Sequence, residues 1–197
     1  MRIGVIGIQG DVSEHIAATR AAIEEMGVRG EVLWVRRADA ARDVDGVIIP
    51  GGESTTISRL MKRHGLWDVV RERALSDDLA VMGTCAGSII LAKEVENAGD
   101  RVASLGLMDI AVRRNAYGRQ RESFETPLKV KGMDEPFPAV FIRAPAITRV
   151  WGDAEVLATL GDDIVMAREG RMLALTFHPE LTGDTRIHRM FLGMVER

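Results

Sequence analysis

The sequence predicts an α/β fold, a three-layer αβα sandwich with a mostly parallel central sheet and antiparallel additions in the C-terminal half. Two observations predict it. Apolar runs alternate with amphipathic stretches through the first half, the order of repeated β-then-α units. After about residue 104 the texture changes to short strand-like segments separated by turn signals. No linker, low-complexity stretch or internal repeat interrupts the 197 residues, so a single domain spanning 1–197 is expected.

Arg2–Ile8 reads as a buried strand, followed by a helix whose positions Val12, Ile16, Thr19, Ile23 and Met26 step by four and three up to Gly27. Glu31–Val35 and Gly46–Pro50 are further strands. The second leads through Gly51-Gly52 to Ser54, an expected N-cap for a helix carrying Ile57, Leu60 and Met61. Leu79–Met82 is the next strand. Beyond it, strands are expected at Leu105–Val112, Ser123–Val130, Ala139–Arg143, Glu155–Leu160, Ile164–Ala167 and Met172–Phe177, with a hairpin turning at Glu169-Gly170. A final helix presents Ile187, Met190, Phe191, Met194 and Val195.

Composition narrows the function classes. Twenty-six bases against 29 acids give a net charge of −3 without a long basic block, which argues against a nucleic-acid partner. No segment approaches the ~18 uninterrupted apolar residues of a membrane span, and the N-terminus runs straight into a strand, so the expected location is cytoplasmic. One cysteine cannot form an internal disulfide. With scattered His15, His64, His178 and His188 there is no short-spaced ligand pair, and no metal is expected.

Three loops could carry chemistry, and all follow strands expected to be parallel, where open α/β sheets place their sites. Gly83-Thr-Cys-Ala-Gly87 is a strand-to-helix turn of the form G-x-nucleophile-x-G, in which small neighbours accommodate a strained backbone and a helix N-terminus favours a thiolate. By itself the motif leaves Cys85 open as nucleophile or core filler. Leu173–Glu180 ends an apolar strand in His178, with a carboxylate at Glu180, a base and a group to orient it. Pro50-Gly-Gly-Glu-Ser-Thr-Thr56 offers backbone N–H groups to an oxyanion or phosphate, but lacks the Lys of a phosphate-binding P-loop.

Together, Gly83–Gly87 and His178-Pro-Glu180 resemble the Cys-His-Glu triad of class I glutamine amidotransferases, and Pro50-Gly-Gly52 resembles their oxyanion strand. Ile6–His15, Pro50–Thr56, Arg114-Asn-Ala-Tyr-Gly-Arg-Gln120 and Phe141-Ile-Arg-Ala-Pro145 are similar to the glutaminase subunits of pyridoxal 5′-phosphate synthases, nearly end to end. The resemblance implies that Cys85 attacks L-glutamine, that His178 moves the proton and that Glu180 orients His178. It further implies that N–H groups of Gly51, Gly52 and Ala86 hold the oxyanion, and that Gly52, Glu53, Ser54, Arg114, Ile142 and Arg143 bind the substrate. Arg113, Arg119 and Arg121 stay undecided between solvated face and ligand. The implied partner is a synthase subunit that receives the ammonia; pyridoxal 5′-phosphate is the product of that complex and not a cofactor of this chain. Gln9-Gly10, at the same sheet edge, is a candidate sensor of the partner. Two rivals remain at this stage. Cysteine hydrolases or glyoxalase-like proteins of the same fold class often place histidine directly after the nucleophile, where this chain has Ala86, and a silent binding module would keep Cys85 as packing.

Overall fold

The computed structural model describes residues 1–97, 103–114, 116 and 123–196. Strands β1 (Arg2–Ile6), β2 (Glu31–Val35), β3 (Gly46–Ile49) and β4 (Ala80–Thr84) alternate with helices α1 (Val12–Met26), α2 (Ala38–Arg42), α3 (Ser54–Arg63) and α4 (Leu66–Leu75). A short α5 (Ala86–Leu91) follows β4, then β5 (Ala92–Glu96), β6 (Met108–Arg113), β7 (Ser123–Leu128), β8 (Phe137–Ile142), β9 (Ala146–Val150), β10 (Glu155–Leu160), β11 (Asp163–Glu169) and β12 (Met172–Leu175). A 3-10 turn at Pro179–Leu181 and helix α6 (Arg186–Val195) complete the order among the described residues.

Among the described residues, ten strands form the main sheet in the order β2-β1-β3-β4-β12-β11-β9-β6-β5, with β10 paired to β11; β7 and β8 make a separate hairpin. Parallel pairing runs from β2 through β12, whereas β11 pairs antiparallel with β12, β10 and β9. The α/β class, the mixed sheet and the Glu169-Gly170 hairpin therefore match the sequence expectation.

Alternation along the strands builds two cores, one on each face. Ile3, Val5, Ile48, Met82, Leu173 and Leu175 face α1, α6 and the β7–β8 hairpin. Ile6, Val47, Ile49, Val81 and Ala174 face α2 to α5. Parallel strands covered on both sides read as unbroken apolar runs, which is why they were visible in the sequence.

Several elements differ from expectation. The strands β5 and β9 and the helices α2 and α4 have no clear sequence signal. Strand β5 has the helix-like composition Ala-Lys-Glu-Val-Glu, and β9 follows Pro145 directly. Helix α2 has only five residues, too few to show a period, and α4 begins after Gly65 without a side-chain cap. On α1 the buried face is Val12, His15, Thr19, Ala22 and Ile23, so a histidine takes a core position while Ile16 is only partly covered. Ser54 is the first residue of α3, and the cap is Glu53, whose carboxylate accepts hydrogen bonds from Thr55 and Thr56 N–H groups. A carboxylate with two oxygens can serve two orphan amides at once.

Helix α5 packs so closely on β3 that a Cβ at Gly87 would lie 2.2 Å from the Ile49 carbonyl oxygen. Gly87→Ala is expected to lower the urea unfolding free energy by about 1–3 kcal/mol. At Gly193 in α6 nothing lies within 4 Å of an added Cβ, so Gly193→Ala should raise it by about 0.5–1 kcal/mol.

Candidate active site

Strand β4 ends in a turn whose geometry is set by Cys85, at φ 48° and ψ −105°. Few non-glycine residues adopt positive φ, and strain of this kind persists only where the surroundings over-determine it. Here they do. The Cys85 N–H donates to the Leu175 carbonyl at 2.8 Å, while its own carbonyl accepts from the Ser88 N–H at 3.1 Å and the Ser88 hydroxyl at 2.7 Å. The thiol is thereby turned toward β8, with Sγ 3.8 Å from the Ile142 carbonyl.

The neighbouring strand β12 delivers His178, whose N–H is fixed on the Val140 carbonyl at 2.8 Å. Pro179 opens the 3-10 turn that swings Glu180 beneath the ring, placing Glu180 Oε1 2.7 Å from His178 Nδ1. A second carboxylate, Asp11 Oδ2, lies 3.3 Å from the same nitrogen. Both carboxylates occupy the Nδ1 side and leave Nε2 for the thiol. Burial alone would lower the His178 pKa, but hydrogen bonds to Asp11, Cys85 and Glu180 outweigh it and push the group up to about 12. Burial raises the Glu180 pKa, partly offset by the hydrogen bond from His178. The pair therefore favours an imidazolium beside Cys85, and an imidazolium is the partner that stabilises the thiolate, the nucleophilic form of a cysteine.

Asp11, His178 and Glu180 also bring ligand atoms within 4.8 Å of one another, a grouping that can hold a cation. The sequence could not show it, because Asp11 is far from the other two along the chain. The 2.7 Å contact is that of a charge-assisted hydrogen bond, and proton sharing accounts for the arrangement.

Around Cys85 and His178 opens a cleft of about 550 Å³, lined also by Gln9, Gly52, Glu53, Ser54, Ala86, Ile89, Arg114, Ile142, Arg143 and Pro145. Every expected site residue lies on this wall except Gly51 and Glu180. Gly51 abuts His178, since a Cβ there would lie 2.5 Å from Cε1, and Glu180 is buried behind the ring. The β1–α1 loop braces the glycines. A Cβ at Gly10 would fall 1.8 Å from the Gly51 carbonyl oxygen, one at Gly52 would fall 2.4 Å from Gln9 Oε1, and that oxygen accepts the Glu53 N–H at 3.0 Å.

On the opposite rim, Arg114 Nη2 stands 3.7 Å from Glu53 Oε1. Burial alone would raise the Glu53 pKa, but the amides and hydroxyls of Thr56 and Thr55 together outweigh it and bring it down to about 2. The Ser54 hydroxyl is buried with no partner among the described residues. Arg113 faces Asp163 at 3.9 Å and is not part of the cleft lining, while Arg119 and Arg121 lie outside the described residues.

Residues 5–197 match the SNO glutamine amidotransferase family. The chain belongs to that family. Its relatives include the pyridoxal 5′-phosphate synthase subunit PdxT of Pyrococcus furiosus, 54% identical over 99% of both chains. The protein of the same name from Archaeoglobus fulgidus is 52% identical over 100% of this chain and 99% of its own. Among solved structures, a glutamine amidotransferase crystal structure superposes with a TM-score of 0.87 at 44% identity, covering 99% of each chain. A glutamine amidotransferase from Thermotoga maritima, at 15% identity and a TM-score of 0.63, shares the fold. No described helix is long and apolar enough to cross a membrane.

Within this amidotransferase, one set of groups went unnoticed in the sequence. The ring of His15 lies wholly buried behind Glu180, with Nε2 3.2 Å from Glu180 Oε2 and 3.0 Å from Thr84 Oγ1, and Nδ1 3.2 Å from His188 Nε2. The signal available was a histidine at a core position of each of two apolar helix faces. Burial lowers the His188 pKa to about 4 and holds His15 well below its usual value, the latter helped by His188 and His178. Both are therefore neutral in the fold. They contribute stability that is present above about pH 6.5 and lost as pH falls toward 4, up to about 3 kcal/mol for His188. Unfolding free energies at pH 7 and pH 4 should show a smaller loss for His188→Leu than for the parent by roughly that amount; Glu180, shifted upward, acts in the opposite sense in both.

Proposed function

We propose that residues 1–197 act as one glutaminase domain, hydrolysing L-glutamine to L-glutamate and ammonia in the cytoplasm and passing the ammonia to a synthase subunit that makes pyridoxal 5′-phosphate. The observation that carries the reading is the strained, doubly pinned Cys85 facing a histidine whose far nitrogen is held by Glu180 at 2.7 Å. The names of the relatives support the choice of partner.

The chemistry follows from the geometry. The Cys85 thiolate attacks the side-chain carbonyl carbon of glutamine, forming a C–S bond and a tetrahedral oxyanion. N–H groups of Ala86 and of the Gly51-Gly52 turn are the donors for that charge, each worth about 10²–10³ in rate. As the C–N bond breaks, His178 gives its proton to the leaving nitrogen, and ammonia departs. Water, deprotonated by His178, then cleaves the thioester to glutamate and regenerates the thiolate. Glu180 orients His178 throughout, and Asp11 adds a second negative charge on the same side.

Arg114 suits the α-carboxylate of glutamine, and Glu53 and the unpartnered Ser54 hydroxyl suit its ammonium group. A ligand of that kind would meet Arg114 and Glu53, which pair with each other at 3.7 Å, from the cleft that both of them line. Gly52, Ile142 and Arg143 complete the pocket, and Gln9, bonded to the Glu53 amide, links it to the loop proposed to meet the partner. Neither metal nor cofactor enters any step.

An electrophilic glutamine analogue should label Cys85 stoichiometrically in the presence of the synthase subunit, and excess glutamine should block it. Absence of labelling under those conditions would sink the proposal. His178→Asn should lower kcat by about 10²–10⁴. Arg114→Ala should instead raise KM for glutamine by roughly 10- to 100-fold with a smaller effect on kcat, as expected for one charge-assisted hydrogen bond.

A further inference from the structure

We propose that His15 is a positioning residue for this site, holding the inner oxygen of Glu180 and the end of strand β4 together, with His188 fixing its tautomer. The inference rests on the amidotransferase reading above and extends the line Cys85–His178–Glu180 inward by two buried rings.

Glu180 has two oxygens, and the triad uses one. Oε1 accepts from His178 Nδ1, whereas Oε2 is buried with no partner of good hydrogen-bond geometry among the described residues. His15 Nε2 approaches Oε2 to 3.2 Å. That nitrogen lies 3.0 Å from the hydroxyl of Thr84, the residue before Cys85. One ring therefore touches both the orienting carboxylate and the strand end that carries the nucleophile.

Hydrogen-bond counting assigns the protons. A neutral imidazole has one donor and one acceptor, and a carboxylate only accepts. Nε2 of His15 must then carry hydrogen, shared between Thr84 Oγ1 and Glu180 Oε2, and Nδ1 must accept. Its partner at 3.2 Å is His188 Nε2, which must donate. His188 Nδ1 is left as a bare acceptor, in agreement with its having no partner among the described residues. The opposite assignment would set two lone pairs against each other and strand a buried N–H, the costlier orphan. The His15, His188 and Glu180 side chains are shielded from solvent, so water does not compete for these contacts.

Charge balance agrees. The titratable groups facing Glu180 are His178 and Asp11 on the cleft side and His15 and His188 on the inner side, and Cys85 reaches it through His178. Burial keeps both inner rings neutral. A neutral His15 can thus offer an N–H to the Glu180 carboxylate without placing a positive charge on its inner side, opposing the burial that pushes the Glu180 pKa up. Without that N–H, Glu180 would take a proton more readily and the His178 imidazolium would lose support.

The test uses the full chain with its synthase subunit and follows both kcat/KM for glutamine and the rate of Cys85 labelling by an electrophilic glutamine analogue across pH. In His15→Leu the acid limb should move up by about one unit, so that activity at pH values below the limb falls by about tenfold while the plateau above it changes little. His15→Gln, whose amide nitrogen can occupy the place of Nε2, should return the limb to the parent's position. An unmoved limb in folded His15→Leu, or equal loss in the Gln and Leu variants, overturns the proposal. Should His15→Leu fail to fold, nitrogen NMR of the histidine-labelled parent decides, since the chain has only four histidines. His15 must show a protonated Nε2 and a bare Nδ1 from about pH 5 to 8; the other tautomer or a charged ring overturns it. If the parent itself is not labelled, the glutaminase reading of this site fails, and the positioning role of His15 in it fails too.

Discussion

Parallel pairing of β4 with β12 is the constraint on which the site depends. Thr84 lies in register with Leu175, and the bond from the Cys85 N–H to the Leu175 carbonyl carries the ladder one residue past the end of β4. Because the strands run the same way, whatever follows each of them emerges at the same edge. A nucleophile and a base far apart in the chain become neighbours without any contact between their own loops being needed to find each other. The antiparallel strands beyond β12 then matter chiefly as support, and β8 does so directly by fixing the main chain of His178 and facing the thiol.

The site is electrostatically two-sided. On the cleft side two carboxylates share one nitrogen of His178, which is why its proton is held so firmly. On the inner side neutral rings back the same carboxylate. A buried charge is tolerable only when its lone pairs find donors; His178 meets that demand at Oε1 of Glu180, and His15 is the ring that approaches Oε2, at 3.2 Å. Partial exposure of Asp11 gives the outer partner a different character, since solvent can screen it as the cleft opens or fills.

Much of this was legible because strong local signals coincided. The buried parallel strands announced themselves as apolar runs, and the small residues around Cys85 and the His178-Pro-Glu180 sequence marked the chemistry. What stayed hidden had physical reasons. Helix α2 is shorter than two turns, β5 is written in helix-forming residues, and β9 starts beside a proline. Glu53 was passed over as a cap because serine at the next position is the more usual capping residue, although a glutamate at the strand end reaches two amides. His15 and His188 come together from opposite ends of the chain, and nothing in either helix alone shows that the other supplies its hydrogen bond.

The contact between Gly10 and Gly51 bears on how such a cleft can evolve. Where Gly10 meets Gly51, the β1–α1 loop and the glycine turn touch main chain to main chain, with no volume for even a methyl group between them. A side chain added at that seam would have to displace one of the two loops that carry the site. Changes of substrate preference meet less resistance where Gln9, Arg114, Ile142 and Arg143 present side chains to the cavity. The seam is thus the part of the cleft least open to substitution.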